Sequence, residues 1–380
     1  MAKRVYVGVN NVARRVKKIY VGVEGKARRV KKGYIGVGGI ARPFFTGGEP
    51  TVYGEITALS ASRFNLSAAS NGSYLVFGTG AYDTDDYTIR NVVDAYNPQL
   101  TRSTPTAFST GRREYAGGNI GNYALFAGGR NKSTTRYKTG EVYDKSLTHT
   151  TCTPLYNNRS NLASAKIGNY LLFAGGNTTN SAYSDVVDAV NASLTRTSAT
   201  VLQKKMGGHV GASNKNYALF SGGIHTTNTA NYLVDAYNTS LTHSTATNFS
   251  NTAGADHAVS TGNYVLFGIG SSNTFTINAY DNSLTRTTLS SFSGDHSDGC
   301  TASLEGFAFF INGGRSYGGT NKNIDVFDES LTRTTLTSSF VREDCAAGTI
   351  GNYIICAGGY GKQVDETGNT TVLRTEAFTI

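Results

Sequence analysis

Gly121-Asn-Tyr-Ala-Leu-Phe-Ala-Gly-Gly129 decides how the rest of the chain is read. A turn pair leads into an aromatic residue and an apolar run, and a double glycine ends it, which describes a short buried strand between two turns. The pattern returns at Gly72–Gly80, Gly168–Gly176, Lys215–Gly223, Gly262–Gly270, Glu305–Gly314 and Gly351–Gly359. Its aromatic anchor falls at Tyr74, Tyr123, Tyr170, Tyr217, Tyr264, Phe307 and Tyr353, in steps of 49, 47, 47, 47, 43 and 46 residues. Self-similarity at such a period means that each repeat is one supersecondary unit.

Each unit holds four strand-like runs. They are an inner run such as Ala116–Ile120, the anchored run, a third such as Val92–Tyr96 or Glu141–Asp144, and an outer Leu-Thr-Arg/His run at Leu100, Leu147, Leu194, Leu241, Leu284 and Leu331. Four strands in about 47 residues make one propeller blade. The expected fold is therefore all-β, a seven-bladed β-propeller of four-stranded blades over residues 51–380. Seven anchors stand against six outer runs, so one blade lacks a strand of its own. Thr375–Ile380 aligns with a third strand, and Thr51–Leu59 supplies the missing fourth, closing the ring and removing its open edges.

Composition agrees: 45 Gly, 23 Tyr, five Pro and no Trp suit many short strands joined by tight turns, and no long 3.6-residue period predicts a helix. Cys152, Cys300, Cys345 and Cys356 show no CxxC spacing and no His pair at zinc spacing, so free thiols are expected, with no metal and no cofactor. No signal-peptide apolar region and no run of roughly 18 apolar residues is found. The expectation is a soluble protein made in a reducing cytoplasm, with no membrane insertion.

The net charge of +9 is unevenly placed. Residues 1–42 hold twelve Lys/Arg against Glu24 alone, while the remainder holds 23 Lys/Arg against 25 acids. The basic segment repeats every 14 residues, as Arg4–Val9, Lys18–Val23 and Lys32–Val37, each followed by a hairpin-type pair, Asn10-Asn11, Glu24-Gly25 or Gly38-Gly39. Residues 1–42 are thus expected to form a β-hairpin arm, 43–50 a linker and 51–380 the propeller. Hairpins with so few large apolar residues do not build a core. The arm is expected to need a partner, through Arg14, Arg15, Lys17, Lys18, Arg28, Arg29, Lys31 and Lys32. A solubilising tail is the plain alternative, and nucleic acid is disfavoured because stacking aromatics and a DNA-reading element are missing.

The Gly-Gly after an apolar strand, the Tyr-Asp/Asn of the third strand (Tyr143-Asp144, Tyr237-Asn238, Tyr280-Asp281) and an Arg eleven residues before the anchor (Arg63, Arg112, Arg159, Arg342) resemble the kelch family over residues 51–380. Leu-Thr-Arg/His stands where that family carries a fourth-strand Trp. Divergent repeats of this kind are similar to propellers of phage and gut-bacterial proteins, and the Arg-Arg-Val-Lys-Lys and Tyr-Val/Ile-Gly-Val pattern of the arm resembles N-terminal segments of phage tail and virion proteins. The resemblance implies a virion component, with the arm on a platform protein or on a second copy.

Strand direction alternates within a blade, so the 2–3 and 4–1 loops share one face. The turns of the other face repeat almost unchanged (Gly121-Asn122, Gly168-Asn169, Gly262-Asn263, Gly351-Asn352), whereas the 2–3 and 4–1 loops vary. Variation confined to one face of a scaffold marks a binding surface. The arm, entering at the start of a fourth strand, is expected to leave from the opposite face. The 4–1 loops are expected to ring the channel mouth with Arg63, Arg112, Arg113, Tyr115, Arg159, Lys204, Lys205, His209, His257, His296 and Arg342, a basic arc facing Asp256, Asp295 and Asp298. The functional expectation is a non-enzymatic adhesion or receptor-binding protein for a host-surface glycan or protein. The alternatives are a capsid-decorating structural propeller and a carbohydrate-active enzyme using carboxylates among Asp256, Asp295, Asp298, Glu343 and Asp344.

Overall fold

The computed structural model describes the strand backbone between residues 6 and 45, and residues 48–82, 87–225, 232–250, 254–271, 274–314, 321–362 and 369–380. Every regular element among them is a β-strand. Seven four-stranded antiparallel sheets follow one another along the chain. Their inner strands, beginning with Ala68–Ser70 and Arg113–Ile120 and ending with Ala346–Ile350, each pack against the next, and the seventh packs against the first. This is a closed seven-bladed propeller.

The closure uses the strand expected from the count. Blade 7 reads Ala346–Ile350, Tyr353–Ala357, Thr375–Thr379 and, outermost, Thr51–Ile56. The Tyr53 ring meets the Tyr353 ring edge-on at 5.0 Å, and the Leu59 N–H donates to the Leu373 carbonyl at 3.1 Å.

Apolar side chains fill the spaces between blades. Phe77 and Tyr96 of blade 1 pack with Ile350 and Ile355 of blade 7, and Val76 and Ala95 pack with Phe126 and Tyr143 of blade 2. An anchored strand therefore has a covered face on both sides, which is why it reads as a continuous apolar run rather than an alternating one. The Leu-Thr-Arg/His signature now has a physical meaning. Each of its six leucines sits in a left-handed turn with φ between 59° and 64°, a conformation that costs a β-carbon-bearing residue roughly 1–2 kcal/mol. The Leu side chains pack into the clusters between blades, as Leu100 does beside Ile355. Asn97 Oδ1 accepts from the Gln99 and Thr101 N–H groups, and the equivalent Asn or Asp does the same in the next five blades, which keeps this face uniform.

Residues Met1–Thr51 with Ile380 form a separate compact unit from Val52–Thr379. Within it, three antiparallel hairpins pair Tyr6–Val9 with Val12–Arg15, Tyr20–Val23 with Lys26–Arg29, and Gly33–Val37 with Ile40–Phe45. Register sets Tyr6 opposite Arg15 and Tyr20 opposite Arg29. The last hairpin strand runs past residue 42. The three turn pairs and Lys17, Lys18, Lys31 and Lys32 lie outside the described residues. No helix among the described residues is long and apolar enough to cross a membrane.

Candidate functional site

Four arginines expected at the channel rim are inside the blades. Arg63 and Arg159 are wholly buried and Arg112 and Arg342 are 1% exposed, so none offers a surface to a ligand. Three of them reach a buried carboxylate on the third strand of their own blade: Arg63 pairs with Asp94 at 2.9 Å, Arg112 with Glu141 and Arg159 with Asp188. In blade 6 His296 takes the same place, with Nε2 at 3.1 Å from Asp325 and Nδ1 at 2.7 Å from the Asn312 carbonyl oxygen. A further partner of the carboxylate comes from the Leu-Thr-Arg/His run: Arg102 to Asp94, His149 to Glu141, Arg196 to Asp188, His243 to Asp235 and Arg333 to Asp325. In six blades this carboxylate also accepts a backbone N–H of the 4–1 loop, from Ser60, Ser109, Tyr156, Gln203, Ser293 or Ser339, at 2.7–3.1 Å. In blades 1 to 4 and 6 this node ties the loop, the third strand and the outer strand together. Buried charges persist only when paired and hydrogen-bonded in this way.

The remaining predicted residues separate. Arg113 is 4% exposed, pairs with Glu114 and lies 3.9 Å from the Tyr87 ring centre. Tyr115 is buried, and its hydroxyl donates to the Thr79 carbonyl at 2.6 Å. Lys204 and Lys205 are exposed on the 4–1 loop of blade 4. His209 and His257 line the central channel, but burial pulls them down to about 3 and about 4, so both are neutral side chains of the wall. The three histidines form no common ligand cluster among the described residues.

The structure brings other groups to the mouth. The channel encloses about 410 Å³ and draws its lining from all seven inner strands, each blade giving the three residues that stand eight to six places before its anchor. The residue one place earlier is Asn65, Glu114, Asn161, Gly208, Asp298 or Asp344 in six blades, and all six have φ between 51° and 67°. Asn and Asp tolerate that region better than other side-chain-bearing residues. Backbone hydrogen bonds join these positions into a belt: Asp344 N–H to Asp298 O, Asn65 to Asp344, Glu114 to Asn65, Asn161 to Glu114 and Gly208 to Asn161. In blade 5 the equivalent residue is Ala255, at the start of a strand with an irregular register, and among the described residues no bond of this series joins it.

The expected basic arc loses its buried arginines, and carboxyls gather at blades 6 and 7, where Asp295, Asp298, Glu343 and Asp344 act on one another. Burial, and then the charges of Asp298 and Asp295, push the Glu343 carboxyl up to about 7. Burial pushes Asp344 to about 7 as well, with Asp298, Glu343 and Glu114 adding to it and Arg113 opposing. Carboxyls raised in the folded state bind protons more tightly there than in the unfolded chain. Their contribution to stability is greatest below the unfolded pKa and falls as pH rises toward about 7. His209 and His257 act oppositely, because groups held neutral lose stability as pH drops below the ordinary His range. The contribution of the acids is therefore read as a difference between variants. Melting temperature should fall between pH 5 and pH 8 by more in the wild type than in Glu343→Gln/Asp344→Asn, and parallel curves would contradict the shared burial of these carboxyls.

Sequence spacing also missed Cys300, Cys345 and Cys356, which meet between blades 6 and 7 with their sulfur atoms all within 4.8 Å of one another. Around the mouth, two 2–3 loops are extended by short hairpins, Gly80–Ala81 with Ile89–Arg90 and Tyr360–Lys362 with Asn369–Thr371, and in blade 4 Met206–Gly207 of the 4–1 loop pairs with Ile224–His225 of the 2–3 loop. Tyr82 and Tyr156 on this face are 36% and 64% exposed. No protein-family model matches the chain, and no curated protein matches it.

Proposed function

We propose that the protein is a non-catalytic binding module that holds a host-surface glycan or protein across the channel mouth. The observation that carries this reading is the belt, in which six blades supply equivalent left-handed residues of different chemistry, Asn65, Glu114, Asn161, Gly208, Asp298 and Asp344, above a channel of about 410 Å³. Amide and carboxylate groups accept and donate hydrogen bonds to sugar hydroxyls, and exposed tyrosine rings offer a stacking face. The ligand is neutral and hydroxyl-rich or basic, because the four arginines that would take an acidic one are buried, three of them in ion pairs. The basic strands carrying Arg14, Arg15, Arg28 and Arg29 are the attachment element, on a virion or tail platform protein or on a second copy of the arm. That part of the reading rests on the resemblance of the arm to phage proteins, and a capsid-decorating propeller shares it.

One observation favours a second reading. Glu343 and Asp344, held near 7 beside Asp298, would allow a protonated and an ionised carboxyl to coexist, as glycoside hydrolysis requires. A glycan array with the full chain separates the two. Retention of intact glycan, weakened in Asp298→Asn/Asp344→Asn, supports the binding module, and release of reducing ends supports the enzyme.

A further inference from the structure

Cys300 opens the inner strand of blade 6, Cys345 immediately precedes the inner strand of blade 7, and Cys356 lies on the second strand of blade 7. All three are free and buried, with exposures of 7%, 8% and 1%. The Cys345 sulfur is 2.9 Å from that of Cys300, which is 3.3 Å from that of Cys356. Cys300 and Cys345 also line the central channel, which gives the cluster a route to solvent.

A second feature sets this corner apart. In blades 1 to 3 the loop arginine spends its charge on the third-strand carboxylate. In blade 7 the equivalent Glu376 accepts instead from the Ser338 hydroxyl and the Ser339 N–H. Arg342 donates through Nη1 to the Arg374 carbonyl at 3.0 Å and to that of Cys356 at 3.4 Å, while its Nε and Nη2 have no hydrogen-bond partner. A guanidinium 1% exposed with two nitrogens lacking a hydrogen-bond partner calls for an anion nearby. Its charge reaches Cys345 and Cys356, and its other neighbour is the Phe340 ring at 5.1 Å.

We propose that Cys300, Cys345 and Cys356 form a three-sulfur site for Cu(I) in the channel wall between blades 6 and 7, with Arg342 offsetting the negative charge of the thiolates. Thiolate sulfur selects soft cations. A structural zinc site takes four protein ligands and an all-cysteine iron–sulfur cluster four thiolates. No fourth His, Cys, Asp or Glu joins this cluster among the described residues. Three sulfurs match the low coordination number of Cu(I). Binding displaces thiol protons, so occupancy rises with pH. Cys152, whose thiol burial pushes up to about 11, stands apart from the cluster and serves as a control.

The test is an anaerobic titration of the reduced full chain with Cu(I) in competition with a chromophoric Cu(I) chelator. One tight equivalent is expected for the wild type and for Cys152→Ser, with X-ray absorption showing sulfur ligands only. Cys300→Ser, Cys345→Ser and Cys356→Ser, each checked for an unchanged circular dichroism spectrum, should each weaken binding by about 100-fold or more. Arg342→Gln should weaken it by about 10-fold, as loss of an outer-shell partner commonly does. The absence of a tight equivalent in the wild type, or its persistence in all three serine variants, overturns the proposal.

Discussion

Asp188→Asn is expected to lower stability by about 3–5 kcal/mol, because it leaves the wholly buried Arg159 guanidinium without its carboxylate. The partially exposed Arg196, which also reaches Asp188, loses little by turning to water. Adding Arg159→Met should restore most of the loss, since replacing both partners of a buried ion pair by uncharged groups of similar size is often close to neutral. The chain already carries both halves of this experiment. Blade 4 has Met206 at the loop position and keeps Asp235 through His243, and blade 5 has a buried Asn278 in place of the acid. Thermal melting of the two single variants and the double variant checks the claim. A double variant no better than the singles would mean that the charge pair contributes more than its two replacements can.

The second large effect concerns ring closure. A chain lacking residues 1–42 should melt close to the wild-type temperature, because it keeps Thr51–Ile56 as the outer strand of blade 7. A chain lacking residues 1–60 loses that strand, the Thr57 carbonyl that accepts from the Tyr96 hydroxyl, and the Ser60 N–H that donates to Asp94. It also uncovers the edge of Thr375–Thr379, a template for pairing with other chains. Its melting temperature should fall by about 10 °C or more, with aggregation. Equal melting of the two shortened chains contradicts the closure.

The architecture is legible because the same strand recurs seven times, and seven anchors against six outer runs locate the closing strand. The site was less legible, for reasons that particular residues explain. Spacing placed Arg63, Arg112, Arg159 and Arg342 in 4–1 loops but carried no information on side-chain direction, and all four turn inward. Their recurrence was itself the missed signal, since ligand contacts vary between blades while structural ones repeat. Third-strand acids at Asp94, Glu141 and Asp188 in the same blades as Arg63, Arg112 and Arg159 pointed to pairing. The belt left a fainter trace, Asn, Asp, Glu or Gly nine residues before six of the anchors. Cys300, Cys345 and Cys356 lie far from any metal-binding spacing and meet only because blade 6 packs against blade 7.

The proposal to be tested is that the belt with its carboxyls at blades 6 and 7, not a ring of arginines, is the working surface. Binding of the full chain to its best glycan-array ligand, compared between wild type and Asp298→Asn/Asp344→Asn, tests it most directly. The account predicts a loss of about 10- to 100-fold, the worth of one or two charge-assisted hydrogen bonds, at a melting temperature no lower than that of the wild type. Unchanged affinity in that variant, with binding abolished instead by substitutions at the opposite-face turns Asn122 and Asn169, would contradict it.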